Sequence, residues 1–138
     1  GRYAQVLSTL RSMASDGDAM AGLARARAAE AALWERVGSE WGWLDEADVQ
    51  RFGDRLLGVD VHGVTRCPAF QIGPRGEVLP VVARLRATAE PAGWTNKGLV
   101  EWLLSPTTYL DGSRPVDLLA TDPDQVVAVA ENDLNIEW

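Results

Sequence analysis

This sequence is poor in the residues on which catalytic and cross-linking chemistry usually depends. It has one cysteine, one histidine and one lysine in 138 residues. A single cysteine, Cys67, excludes an internal disulfide and fits a reducing cytosol. Cys67 reads as a small apolar strand residue rather than a reactive thiol. His62 falls in a turn, where an imidazole is ordinarily solvated. Zinc sites need several clustered His, Cys or carboxylate ligands, and this pair is too few. A Ser-His-Asp arrangement would have to use His62, and no G-x-S-x-G elbow exists. A Walker A loop and a G-x-G-x-x-G turn are also missing. No apolar run reaches the roughly 20 residues of a membrane span, and no signal peptide is visible. A cytoplasmic protein without membrane attachment is therefore expected. The chain begins at Gly1 rather than Met, as a fragment or a tagged chain would.

Basic charge is scarce as well. The chain carries 20 acids against 13 bases, a net charge of -7. The first 60 residues hold seven Arg against ten acids, and the last 78 hold five Arg and Lys97 against ten acids. Affinity for DNA rests largely on phosphate neutralisation by a basic face, so weak or no DNA binding is expected of this chain outside an oligomer. An acidic surface suits a basic protein partner. What is abundant is ordinary globular material: 46% apolar and 24% charged residues, enough to bury about 70% of the unfolded surface. Two carboxylate sets, Asp45-Glu46-x-Asp48 and Asp122-x-Asp124, have the look of acid–base pairs. Both stand at predicted helix starts, where acids stabilise the helix dipole. No catalytic residue, metal or cofactor is expected, and the chain reads as a binding module rather than an enzyme.

The periodicities predict a mainly α protein. Val6, Leu7, Leu10 and Met13 mark a helix over 3–14, broken at Ser15-Asp16-Gly17. Asp18 caps a second, Ala-rich helix to about Trp41. Its thin apolar stripe is of the kind that meets another helix, in the chain or in a second copy; Leu23, Leu33 and Trp34 are the expected dimerisation residues. A short helix follows, capped near Asp45 and stopped at Gly53. Leu56–Val61 and Val64–Ile72 read as a β-hairpin turning at His62-Gly63, with Pro68 bending the second run or confining it to an edge. Pro80 opens a helix whose buried face is Val81, Val82 and Leu85. Thr95 caps another over 96–104. Turns at 105–108 and 111–114 flank Tyr109 and Leu110. Pro115 opens a short helix through Ala120, and Asp122-Pro123 opens the last, through Ala130. The tail, 131–138, shows no clear period. The expected division is a helical N-terminal region over 1–53, and a hairpin plus compact helical region over 54–138.

The most specific pattern lies between Cys67 and Ala130. It starts with Pro68-Ala69-Phe70-Gln71-Ile72. Next come Trp102-Leu103-Leu104-Ser105-Pro106 and Tyr109-Leu110-Asp111-Gly112-Ser113-Arg114-Pro115-Val116-Asp117-Leu118-Leu119, and it closes with Asp122-Pro123-Asp124-Gln125-Val126-Val127. Read physically, Gly112 permits a positive φ, Arg114 can bridge the turn to an acid, and Pro115 starts a helix anchored by Leu118 and Leu119. The pattern resembles the toxin-binding region of the Xre/MbcA/ParS antitoxin family. Trp102, Leu103, Pro106, Leu110, Gly112, Pro115, Leu118 and Leu119 match, and Thr107 departs from the Asn found in many relatives. The resemblance covers about half the chain.

It implies an antitoxin that neutralises a cognate toxin by direct binding, commonly a RES-domain toxin that consumes NAD. It also implies that the C-terminal tail covers or enters the toxin's active-site cleft. The residues expected to contact the toxin are Trp102, Tyr109, Arg114, Asn132, Asp133, Asn135, Glu137 and Trp138. In the tail, apolar anchors alternate with carboxylates able to pair with Arg or Lys, and Trp is a frequent interface hot spot. A homo-oligomer is expected. The family's N-terminal half usually carries a helix-turn-helix. Here Leu44–Phe52 resembles its first helix, but the strand near Leu56 leaves no room for a groove-reading second helix. The rival reading is a transcriptional autorepressor whose helix-turn-helix is degenerate or missing.

Overall fold

A computed structural model describes the backbone of residues 2–134 and the side chains of residues 17–133. The fold is mainly α, with one two-stranded antiparallel hairpin among the described residues. The chain divides into two compact units, 1–36 and 37–138.

The first unit belongs to a single helix, α1, which runs from Arg2 to Glu40. The break expected at Ser15-Asp16-Gly17 does not occur. None of the three is a proline, and a helical Gly costs only about 1 kcal/mol relative to Ala. The Ala-rich sequence that follows, 18–33, offsets that cost. Most side chains from 17 to 33 are exposed, including Met20 at 73% and Leu23 at 51%. Leu33 is half-buried. Trp34 is buried, and its indole N–H donates to Glu30 Oε1 at 3.2 Å.

The second unit begins inside the last turn of α1, where Val37 is fully buried. The Val37 carbonyl accepts from the N–H groups of Trp41 and Gly42, and Gly42 stands at φ +85. Helix α2, Glu46–Phe52, is capped by Asp45, whose Oδ1 accepts from the Asp48 N–H at 2.9 Å. Gly53 ends it at φ 57. Phe52 then packs with Leu56 and Cys67, with Leu44, Val49, Ile72 and Val78 around them. The boundary expected at 53/54 therefore lies within the second unit. After α2 comes one 3-10 turn, Gly53–Arg55, and then the hairpin.

The strands are shorter than the sequence suggests: β1 is Val59–Val61 and β2 is Val64–Arg66, with Val59 opposite Arg66 and Val61 opposite Val64. His62 (φ 54) and Gly63 (φ 82) both take the positive φ that a two-residue hairpin turn demands. Beyond Arg66 the backbone pairs elsewhere. The Cys67 carbonyl accepts from Leu44, and the Ala69 N–H donates to Gly42. Pro68 contributes no N–H to any ladder, and the chain turns into a 3-10 segment, Ala69–Gln71. Gln71 is fully buried, with its amide bonded to the backbone of Leu57 and Pro68.

Three helices complete the unit: α3, Pro80–Ala89; α4, Asn96–Leu103, capped by Thr95; and α5, Pro123–Leu134. Val82, Leu85, Leu99, Val100, Leu103, Leu104 and Val126 are the inner core, each 2% exposed or less. The connection from α4 to α5 carries two 3-10 turns, Thr108–Leu110 and Pro115–Leu118. The second replaces the helix expected through Ala120. Helix α5 runs four residues past its expected end at Ala130. Val126 and Ala130 define its buried stripe, and the next position on that stripe is Asp133. A carboxylate there hides the periodicity from the sequence, although the helix continues.

Candidate interaction surface

The segment joining α4 to α5 contains six of the eight motif residues, Pro106, Leu110, Gly112, Pro115, Leu118 and Leu119, and two of the expected contact residues, Tyr109 and Arg114. Its centre is a closed loop, 107–113. The Thr107 N–H donates to the Ser113 carbonyl at 3.1 Å, and the Thr107 carbonyl accepts from Leu110 at 3.1 Å and Gly112 at 2.9 Å. Asp111 and Ser113 donate back to Thr108 and Leu110. Two consecutive left-handed residues, Asp111 (φ 55) and Gly112 (φ 83), make this closure feasible. Leu110, 5% exposed, plugs the loop into the core, whereas its neighbour Tyr109 is 57% exposed. Backbone conformation and one apolar anchor thus hold an aromatic ring out from the surface.

Arg114 fastens the foot of the loop. Its Nε and Nη2 donate to the two carboxylate oxygens of Asp117, each at 3.0 Å. Its Nη1 reaches Glu40 at the end of α1, at 3.0 Å from Oε2. The guanidinium also lies 5.3 Å from the centre of the Trp41 ring, which meets Phe70 edge-on at 5.3 Å. Hydrogen bonds to Asp117 first, then to Glu40, hold the guanidinium even more firmly protonated than usual. Arg114 does bridge the turn to an acid, as its position suggested. Its second partner and its aromatic bed lie more than 70 residues away, and no local pattern announces them.

Trp102 and Asp133 are brought together. The part-buried indole N–H of Trp102 donates to Asp133 Oδ2 at 3.0 Å, linking the C-terminal ends of α4 and α5. Asn132 is exposed on α5. Asn135, Glu137 and Trp138 lie outside the described residues. The expected dimerisation residues Leu23, Leu33 and Trp34 are on α1, at the burial levels given above.

The residues considered for chemistry are dispersed. His62 is exposed in its turn, and Cys67 is 4% exposed, with burial pushing its thiol pKa up. Asp45 caps α2, Asp122 Oδ1 accepts from Gln125 at the start of α5, and Asp124 pairs with Arg84 at 2.7 Å. Among the described residues no group of three or more His, Cys, Asp or Glu is placed to hold a metal. No helix among them is long and apolar enough to cross a membrane. Sequence reasoning passed over Trp94, which is 40% exposed beside an open cleft of about 360 Å³ lined by Arg86, Glu90, Thr95 and Asn96. Its signal was a large aromatic between Gly93 and a helix cap, outside any apolar period. No protein-family model, no curated protein and no solved structure matches this chain.

Proposed function

We propose that this chain is a bacterial antitoxin whose second unit binds and neutralises a cognate toxin by direct contact, without chemistry of its own. The resemblance noted in the sequence favours a RES-type toxin. One observation carries the reading: Tyr109 is exposed on a loop whose conformation is already closed by five backbone hydrogen bonds. An interface built on such a loop loses little conformational entropy on binding. Tyrosine offers a large, rigid contact area with few rotatable bonds. The acidic balance of the chain suits a basic partner surface.

The test is co-production with the toxin encoded beside this gene. The intact chain is expected to restore growth and to co-elute with the toxin at a fixed stoichiometry. Tyr109→Ala should weaken the complex by about 2 kcal/mol, roughly 30-fold. Removing 135–138 tests the tail while leaving the Trp102–Asp133 link in place. A native pair that does not associate would refute the reading. An unchanged affinity of Tyr109→Ala would remove the loop from the interface.

A further inference from the structure

The first unit presents a helix, α1, whose described apolar residues on one face, from Gly17 to Ala31, are exposed. Over residues 3–34 that face has a seven-residue repeat. Tyr3, Leu10, Gly17, Ala24 and Ala31 occupy one seam position, and Val6, Met13, Met20, Arg27 and Trp34 the other. Leu7, Ala14, Ala21 and Ala28 border the seam on one side. Arg27 is the one charge on either seam position, and the repeat exceeds the three to four heptads that distinguish a coiled coil from a chance stripe. Between Gly17 and Ala31 this face is open within a single chain: Met20 is 73% exposed, Ala21 and Ala24 are exposed, and a Cβ added at Gly17 would meet nothing within 4 Å. Gly17 costs the helix about 1 kcal/mol relative to Ala, and nothing among the described residues needs a glycine there.

We infer that α1 pairs with α1 of a second copy as an antiparallel coiled coil in which residues 6–31 of the two helices overlap. Antiparallel helices set one seam position beside the other. In this register, Gly17 stands opposite Met20, Ala24 opposite Met13, and Ala31 opposite Val6. Each of these layers joins a small residue to a large one, which is how facing positions interdigitate without voids. Gly17 then has a purpose, as the recess for a methionine of the other chain. Arg27 faces Leu10, along which its aliphatic stem can lie. The bordering positions bring Leu7 to Ala28 and Ala14 to Ala21 on one flank, and Thr9 to Glu30 and Asp16 to Leu23 on the other, so no like charges meet. A parallel pair fails on the same residues. It stacks Gly17, Ala24 and Ala31 on their own copies, leaving gaps. It also sets Arg27 against Arg27, and Glu30 beside Glu35. A second copy is thus the occupant that the repeat itself fits. Of the dimerisation residues expected from the sequence, Leu23 flanks this seam, Leu33 lies off it, and Trp34 occupies its last position but is already buried in the single chain.

The test is the mass of the full chain at tens of micromolar by light scattering on a sizing column, where about twice 15.0 kDa is expected. Gly17→Leu raises intrinsic helix propensity, so far-UV circular dichroism should hold or increase, yet dimer affinity should fall at least tenfold. Orientation is read by oxidation. Met13→Cys combined with Ala24→Cys should cross-link two chains, and Met13→Cys alone should not; Cys67 is buried in both. A monomer, a trimer or larger assembly, or an unchanged affinity for Gly17→Leu would overturn the proposal. Cross-linking by Met13→Cys alone would overturn the antiparallel arrangement.

Discussion

Gln71 offers a sharp test of how the second unit is held together. Its side chain is fully buried and behaves like a short piece of strand backbone. Its Oε1 accepts from the Leu57 N–H at 2.7 Å, and its Nε2 donates to the Leu57 carbonyl at 3.0 Å and the Pro68 carbonyl at 2.9 Å. The chain entering the hairpin is thereby tied to the turn leaving it. Gln71→Leu keeps nearly the same shape but strands one buried N–H and deprives two carbonyls of a donor. An unsatisfied buried group costs about 1–3 kcal/mol. The N–H bears most of this, since each carbonyl has a second lone pair, and the added apolar burial returns part. The net destabilisation should be about 3 kcal/mol, measured by urea unfolding followed through tryptophan fluorescence. Gln71→Glu adds a pH signature. Its carboxylate would face the Leu57 and Pro68 carbonyls, which reject negative charge, whereas the neutral acid can donate to one of them. The folded pKa of this group therefore rises above the unfolded value of about 4.3. Below that value both states hold the proton and the variant is at its best; as pH rises, the unfolded chain loses the proton first and stability falls. The Glu variant should thus lose more stability relative to the parent at pH 7 than at pH 4. A Leu variant within about 0.5 kcal/mol of the parent, a difference typical of neutral surface changes, would refute the reasoning. So would a Glu variant whose deficit ignores pH.

Three further outcomes follow from the same structure. Arg114→Ala should cost about 1–2 kcal/mol in urea unfolding, because a planar fork on Asp117 and a bond to Glu40 are lost together. Arg114→Lys should recover less than half of that, since an ammonium cannot make the paired contact; full recovery would contradict the fork's role. Gly112→Ala forces a side chain to φ +83 and should destabilise by about 1–2 kcal/mol, with a matching fall in the thermal midpoint; an unchanged midpoint would show that the loop relaxes. The Cys67 thiol, buried and with its pKa pushed up, should resist maleimide at pH 8 in the folded chain and label only as the protein unfolds. Prompt labelling of native protein would contradict its burial.

Local chemistry made much of the fold readable. Asp45 and Thr95 cap as their type predicts, Pro80, Pro115 and Pro123 open their segments, and His62-Gly63 turns the hairpin. Each signal acts within four residues. The misreadings occur where distant contacts decide. Beyond Arg66 the second strand gave way because residues 67–69 bond to 42–44, a pairing with no local trace. The end of α5 was misplaced because a polar residue, Asp133, sits on the buried stripe and is satisfied by Trp102. Ser15-Asp16-Gly17 weaken a helix without stopping it, so α1 continues through them. For the candidate surface, Gly112 and the bridging role of Arg114 were legible, but Glu40 and Trp41 as its distant supports were not.

The hydrogen bond between Trp102 and Asp133 ties the far ends of two helices into one mechanical element. Three residues past Trp102 the chain enters the turn that leads to Tyr109, and Asn132 adjoins Asp133 on the other helix. A partner that tugs on α5 near Asn132 is thereby pulling on the base of the Tyr109 loop. Contacts at those two places should reinforce each other rather than add independently, and Trp102→Phe, which removes only the N–H, should uncouple them.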